Sequence, residues 1–197
     1  GCLVRKLIFF LGPAGAGKTT LAEAWLQRHG GAYLDMDTLL RPAAEAIMTL
    51  AGEDPEDRDS PFYKKHCRDL GYRITMDAAL QQLRLGLDAV VVGPFTKETE
   101  DANWLASELA RIGLTTTEVC VKVILVTLSS EADYYARIQS RASALDAWKL
   151  ANWEQFSQSL RPRAIAWPLP AGSVLTFDNT APLTDATLAD LESFILS

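Results

Sequence analysis

Five apolar runs of strand length recur along the chain: Lys6–Leu11 (KLIFFL), Ala32–Asp35 (AYLD), Ala89–Gly93 (AVVVG), Val119–Thr127 (VCVKVILVT) and Ser173–Asp178 (SVLTFD). They are rich in β-branched and aromatic residues, and most are continuous rather than alternating. That pattern predicts strands buried on both faces of a parallel sheet. Helical periodicity fills the gaps. Leu21, Trp25 and Leu26 mark one helix, and Leu39, Leu40, Ala43, Ile47 and Leu50 a second. Tyr63, Cys67, Leu70 and Ile74 recur at three- and four-residue steps and mark a third. Strand–helix alternation with right-handed crossovers predicts a doubly wound α/β sheet.

Local signals sharpen the boundaries. Ser60 is positioned to cap a helix that has Pro61 in its first turn, where a missing N–H costs nothing. Ser129 or Ser130 caps a helix running through Tyr134 and Arg141. Leu145, Trp148, Trp153, Phe156 and Leu160 continue at helical steps, and aromatics in such a stripe read first as core. The acidic, proline-broken Ala51–Asp59 reads as a surface loop. Arg161–Gly172, with three prolines, reads as a connection into the last strand. No repeat or low-complexity tract interrupts the pattern.

Composition changes this picture little. A chain of 197 residues is long enough for one domain with a full core. The net charge of -6 argues against a general nucleic-acid binder, because phosphate backbones select basic faces. Cys2, Cys67 and Cys120 lie far apart and without metal-ligand spacing, as expected of free thiols in a reducing compartment. The Leu7–Leu11 run is too short for a signal-peptide core, and no stretch has the length of a bilayer span. A cytoplasmic protein is the expectation.

The chemistry is concentrated in GPAGAGKT, Gly12 to Thr19, which satisfies G-x-x-x-x-G-K-[ST] in full. It falls where its mechanism needs it, after a strand and before a helix. Gly12, Pro13, Ala14, Gly15, Ala16 and Gly17 can turn their backbone groups inward as a nest for phosphate oxygens. The helix starting near Lys18 adds its positive dipole end. Lys18 is expected to reach the β- and γ-phosphates of a nucleotide, Thr19 to hold Mg²⁺, and Thr20 to flank them.

A second acidic signal follows. In YLDMD, Asp35 and Asp37 flank one residue at the carboxyl end of the second strand, the ligand-binding end of a doubly wound sheet. Phosphoryl transfer uses both a metal-organising acid, here Asp35, and a base for the acceptor hydroxyl, here Asp37. The structural alternative makes Asp37 a helix cap and Asp35 a turn acid. The third strand ends in Gly93-Pro94-Phe95, where a hydrolysing motor would carry an acid. Gly93 and Phe95 are a candidate acceptor platform, or simply a tight turn, with Lys97 a candidate anion contact. Arg137 and Arg141 share one helix face and could screen the transferring phosphoryl group, or could lie in solvent. Asn179, in the loop after the last strand, is a candidate edge of the base pocket, through backbone more than side chain.

This motif order resembles the small P-loop kinases: shikimate, gluconate and adenylylsulfate kinases, chloramphenicol phosphotransferase, the zeta-toxin and polynucleotide kinase groups, and AAA_33-type ATP-binding proteins. The resemblance covers most of the chain. It implies a P-loop NTPase fold of three α/β/α layers, with a five-stranded parallel sheet of order 2-3-1-4-5. It also implies a single domain over residues 1–197 with a helical lid at about 137–160, and ATP with Mg²⁺ as cofactors. Asp37 then matches the family's base, and Arg137 or Arg141 its lid arginine. The chain lacks the triple glycine of shikimate kinases and the Leu-His pair of gluconate kinases. The expected activity is transfer of the γ-phosphate to a small-molecule hydroxyl. The acceptor is anionic if Arg41, Arg58, Lys64, Lys65, Arg68 and Arg73 serve it rather than forming a solvated face. A toxin-like or regulatory protein and a 5′-polynucleotide kinase module are the rivals. A small GTPase is disfavoured, because no Asn-Lys-x-Asp guanine signature is present.

Overall fold

A computed structural model describes residues 5–197. Five strands, β1 (Lys6–Leu11), β2 (Ala32–Asp35), β3 (Ala89–Gly93), β4 (Cys120–Thr127) and β5 (Val174–Asp178), form one parallel sheet of order β2-β3-β1-β4-β5. This is the expected doubly wound α/β/α arrangement. The central β1 pairs with β3 on one side and β4 on the other, with Leu11 opposite Gly93 and Leu125. The first crossovers run toward β2 and β3 and the later ones toward β4 and β5. The direction reverses at β1, and its carboxyl end opens into the crevice where such sheets bind ligands.

The continuous apolar strands divide their side chains between two cores. Leu7, Phe9 and Leu11 face one layer with Val91, Val123 and Leu125, whereas Ile8 and Phe10 face the other with Val90, Val92, Ile124 and Val126. The first layer is closed by α2 (Met36–Leu50), α4 (Asp69–Arg84) and α5 (Trp104–Ala110). The helix α1 (Lys18–His29) closes the second together with α9 (Asp185–Leu196). Every β1 residue from Leu7 to Leu11 is fully buried, as period-two alternation between two covered faces requires.

Between β2 and β3, Ser60 caps α3 (Pro61–Tyr63) by accepting from the Tyr63 N–H, with Pro61 in the first turn as expected. The helix then runs through a π-helical turn, Lys64–Arg68, before continuing as α4. The single helix predicted from Tyr63 to Ile74 is therefore widened by one π turn. In α2, Pro42 sits inside the helix and removes the N–H that the Thr38 carbonyl would otherwise receive.

The segment after β4 departs further from the reading. Ser130 caps α6 (Glu131–Arg141), which stops where Ala142 turns left-handed at φ 49. The stripe from Leu145 to Leu160 then breaks into a 3-10 turn (Ala144–Asp146), α7 (Ala147–Ala151) and α8 (Trp153–Ser157). Its aromatics are half-buried and pack locally, Trp153 edge-on to Tyr135 and tilted against Phe156. Cys67 and Cys120 are free thiols, and Cys2 lies outside the described residues. Among the described residues no helix is long and apolar enough to cross a membrane.

Phe9 is the hub of the first core, packed against the rings of Phe95, Trp104 and Trp167 at centroid distances of 5.7, 6.3 and 5.1 Å. Truncation there removes aromatic burial and leaves a cavity that rigid strands cannot fill. Phe9→Ala is expected to cost about 3–5 kcal/mol of unfolding free energy, read as a lower urea midpoint with an unchanged slope.

Candidate active site

The glycine loop connects β1 to α1, and its geometry follows from its sequence. Gly17, the cap residue of α1, adopts φ 89, a left-handed conformation open to glycine. A Cβ there would also collide with the Asn179 side-chain amide. Asn179 is 6% exposed, and its Nδ2 donates to the Ala16 carbonyl at 2.9 Å. Its own N–H donates to Thr127 at the end of β4. Arg137 closes the same corner, donating through Nη2 to the Asn179 carbonyl at 2.7 Å and to that of Thr180 at 3.2 Å. The sequence reading gave Asn179 a backbone role at a base pocket. In the structure its side chain is a clamp on the loop.

Lys18 folds back over the loop, its Nζ donating to the carbonyls of Gly12 and Pro13 at 2.8 and 2.9 Å. Thr19 and Thr20 are exposed at the start of α1. The Thr19 hydroxyl and the Asp35 carboxylate both face the Tyr33 phenol, which donates to Asp35 at 3.2 Å. Burial and the Asp35 charge push that phenol up to about 12. One alcohol and one carboxylate suit Mg²⁺, a hard cation that keeps water and phosphate oxygens in its other positions.

The two acids divide their work differently from the structural alternative. Asp35, not Asp37, is the cap of α2, accepting from the Asp37 N–H at 3.0 Å. Burial raises the Asp35 carboxyl above its ordinary range and the Asp37 charge adds to that, opposed by the Asp37 N–H, Tyr33 and Lys18. Asp37 is left on the first turn of α2 with its carboxylate free of capping, acting on Lys18 and on the phenols of Tyr63 and Tyr72. Tyr63 is 7% exposed and pushed up to about 12, chiefly by burial.

The β3 end is not an open platform. Phe95 is fully buried among Phe9, Tyr72 and Trp104, and holds a left-handed φ of 50. Such a backbone costs about 1–3 kcal/mol unless its surroundings fix it. Here the Tyr72 hydroxyl accepts from the Phe95 N–H at 3.0 Å, and Thr99 donates twice to the Phe95 carbonyl. Gly93 lets this turn lie against Met36, since a Cβ would sit 3.0 Å from the Phe95 ring. The platform reading therefore gives way to a rigid wall. Lys97 is exposed, 4.0 Å from Asp69.

Residues 7–163 match the model of the AAA_33 family, an AAA domain. The chain belongs to the AAA_33 family. It is 31% identical over 118 residues to a cytidylate kinase from Dichelobacter nodosus (strain VCS1703A), a match covering 54% of this chain and 45% of that protein. The chain thus spans under half the length of that relative. Its fold matches a provisionally assigned kinase from Chloroflexus aurantiacus j-10-fl with a TM-score of 0.66 and 18% identity, over 100% of this chain and 98% of that one. A gluconokinase from Sinorhizobium meliloti 1021 matches with a TM-score of 0.52 and 15% identity, over 98% and 90%. The expected P-loop kinase fold is what these structures share with the chain.

In this AAA_33 chain the two arginines expected on the lid part company. Arg137 lies against the loop, whereas Arg141 gives both Nε and Nη2 to the carboxylate of Asp146, which is 1% exposed. Two further participants had no visible role in the sequence. Lys149 reaches Asp59 and Asp146, and Arg163 donates to the Pro94 carbonyl within the field of Lys18. Arg163 sits in the proline-rich connection read as a mere linker, and its only signal was an arginine between two prolines' reach of the last strand. Two of the six residues of the predicted basic cluster are taken up by ion pairs. Arg68 pairs with Glu98 and Asp69, and Arg73 with Glu108 and Asp77. Arg41, Lys64 and Lys65 are exposed, and Arg58 lies over the Tyr63 ring at 5.2 Å.

Burial lowers Lys18 to about 8, Asp37 and Asp35 opposing the shift while Arg141 and Arg163 add to it. An anionic nucleotide favours the protonated lysine. Affinity for a fluorescent ATP analogue should therefore be flat below about pH 8 and fall as the pH rises through it. Asp37→Asn removes a charge that raises Lys18, so the break should move to lower pH. Asn179→Asp replaces the clamp's donor with a charged acceptor facing the Ala16 carbonyl. It should weaken binding of the same analogue by about tenfold, measured by titration at fixed pH.

Proposed function

We propose that the chain transfers the γ-phosphoryl group of ATP, with Mg²⁺, to a hydroxyl of a small molecule. The observation that carries this reading is the division between the two acids. Asp35 takes the helix cap and shares the Tyr33 phenol with Thr19, which leaves the Asp37 carboxylate uncommitted, its charge acting on Lys18 and on the Tyr63 and Tyr72 phenols. A base at that position can take the proton as the acceptor oxygen attacks, and transfer needs little else besides positioning and charge stabilisation. A bound Mg²⁺ would supply neutralisation of phosphate charge, with Thr19 and Asp35 as its protein ligands.

This chain's own groups fill the remaining roles. The loop amides and the dipole of α1 hold the phosphates. Lys18 exchanges the Gly12 and Pro13 carbonyls for phosphate oxygens. Arg137, and Arg141 with it, screens the developing charge from the lid side, over residues 137–160. The Tyr72–Phe95 wall fixes the acceptor's depth. The acidic balance of the chain and the carboxylate pairing of Arg68 and Arg73 support a small molecule over a polynucleotide. Arg68, over the Tyr72 ring, is held by Glu98, whereas Arg58, over the Tyr63 ring, and Arg163, in the field of Tyr72, support an acceptor carrying an anionic group. With no membrane-length helix among the described residues, the cytoplasm is the proposed location.

Similarity to a cytidylate kinase favours one second reading, in which the acceptor is the phosphate of a nucleoside monophosphate. The two readings differ at Asp37. A phosphate oxygen is already ionised at neutral pH and needs no base, whereas a hydroxyl does. A screen of hydroxylated metabolites and nucleoside monophosphates for ADP release above the water background identifies the acceptor. Asp37→Asn should then lower phosphotransfer to a hydroxyl by about 10²–10⁴ with ATP affinity retained at pH values below the shifted Lys18 break. Full activity in that variant removes Asp37 as the base.

A further inference from the structure

Four charged side chains form a continuous line from the loop before α3 to the lid. Lys149 Nζ donates to Asp59 at 3.0 Å and lies 3.8 Å from Asp146, which in turn accepts from both Nε and Nη2 along one edge of the Arg141 guanidinium. Three of the four are sheltered, the Asp146, Lys149 and Asp59 side chains being 2%, 12% and 11% exposed, while Arg141 at the lid end is 44% exposed. Lys149 is fixed further by the Leu145 carbonyl at 3.5 Å and by the Phe156 ring. A buried carboxylate shared by two cations holds its geometry, because losing either partner leaves charge uncompensated.

Both ends of the line sit at element boundaries, one at the end of α6 and the other just before α3. Arg141 is the last residue of α6, and the left-handed Ala142 follows it, so helix continuation does not set its position. Its guanidinium stands where Asp146 holds it. At the other end, Asp59 lies between Arg58, stacked on Tyr63, and Ser60, the cap of the helix that carries Tyr63. Asp57 braces this turn by accepting from the N–H groups of Asp59 and Ser60. Whatever shifts Tyr63 or Arg58 therefore bears on Asp59.

We propose that Lys149 is a positioning residue, through which the acceptor-side loop sets the location of the Arg141 guanidinium over the nucleotide phosphates. The proposal rests on the reading of Arg141 as a lid cation and names what governs it. The loop and the lid behave as one electrostatic unit. A change in the loop's seating is relayed to Arg141 through three ion pairs rather than through the sheet.

The test compares the full chain with Lys149→Met, Asp59→Asn and the double variant, using fluorescent ATP and ADP analogues. Each single variant should lose about tenfold of its preference for the triphosphate while binding of the diphosphate is kept. The double variant should lose no more than either single one. Hydrogen exchange without nucleotide should quicken in both residues 51–60 and 142–157 for Lys149→Met. Asp59→Asn, which changes one side chain at the loop end, decides the matter if Lys149→Met fails to fold. An unchanged triphosphate preference together with wild-type exchange over 142–157 in Asp59→Asn overturns the proposal, as does strict additivity in the double variant. The exchange arm involves no phosphotransfer, so it can fail while the Asp37 result stands, and the reverse.

Discussion

A phosphate gripped by backbone amides is gripped only as well as the loop bearing them is held. Residues 12–17 carry little side-chain bulk of their own, so their conformation has to be imposed from outside. The clamp is the Asn179 amide on the Ala16 carbonyl, backed by Arg137 on the Asn179 carbonyl and by the Thr127 bond to the Asn179 N–H. These partners come from the ends of β4 and β5 and from α6, the last third of the chain. The first motif is therefore completed by the last strand, and the parallel order β1-β4-β5 brings the two together.

The same arrangement explains what was legible beforehand. Continuous apolar runs implied doubly covered strands, and β1 shows this with alternate residues in two separate cores. The glycine loop and the Asp35–Asp37 pair were readable because each is a local pattern with a local purpose. What escaped depends on partners remote in sequence. Asp146 is an unremarkable acid until Arg141 and Lys149 fold around it. Arg163 gained a role only when its segment crossed to the Pro94 carbonyl. Phe95 looked available as a platform, but Phe9, Tyr72 and Trp104 enclose it. The aromatic stripe after α6 had helical spacing, yet the left-handed Ala142 and the turns that follow divide it into short helices.

The site separates into two halves of unlike stiffness. On the donor side, a buried strand, a clamped loop and a helix dipole leave little freedom. On the acceptor side, β3 contributes a strained and pinned turn, while the rest is built on the long excursion between β2 and β3, which includes a π turn and a proline-interrupted helix. Changes in that excursion could alter the guest without disturbing the phosphate grip.

The position of Lys18 has a consequence for chemical reactivity. Most lysines are ammonium ions at neutral pH and inert as nucleophiles. With its ordinary value lowered to about 8 by burial, Lys18 gives up its proton more readily than a solvated lysine. The desolvation that lowers Lys18 also makes its amine the readier nucleophile at the glycine loop. Acylating or carbonyl electrophiles carried on an adenosine scaffold would meet that amine before the solvated ones, so a covalent mark on this lysine becomes a reporter of the loop's own conformation.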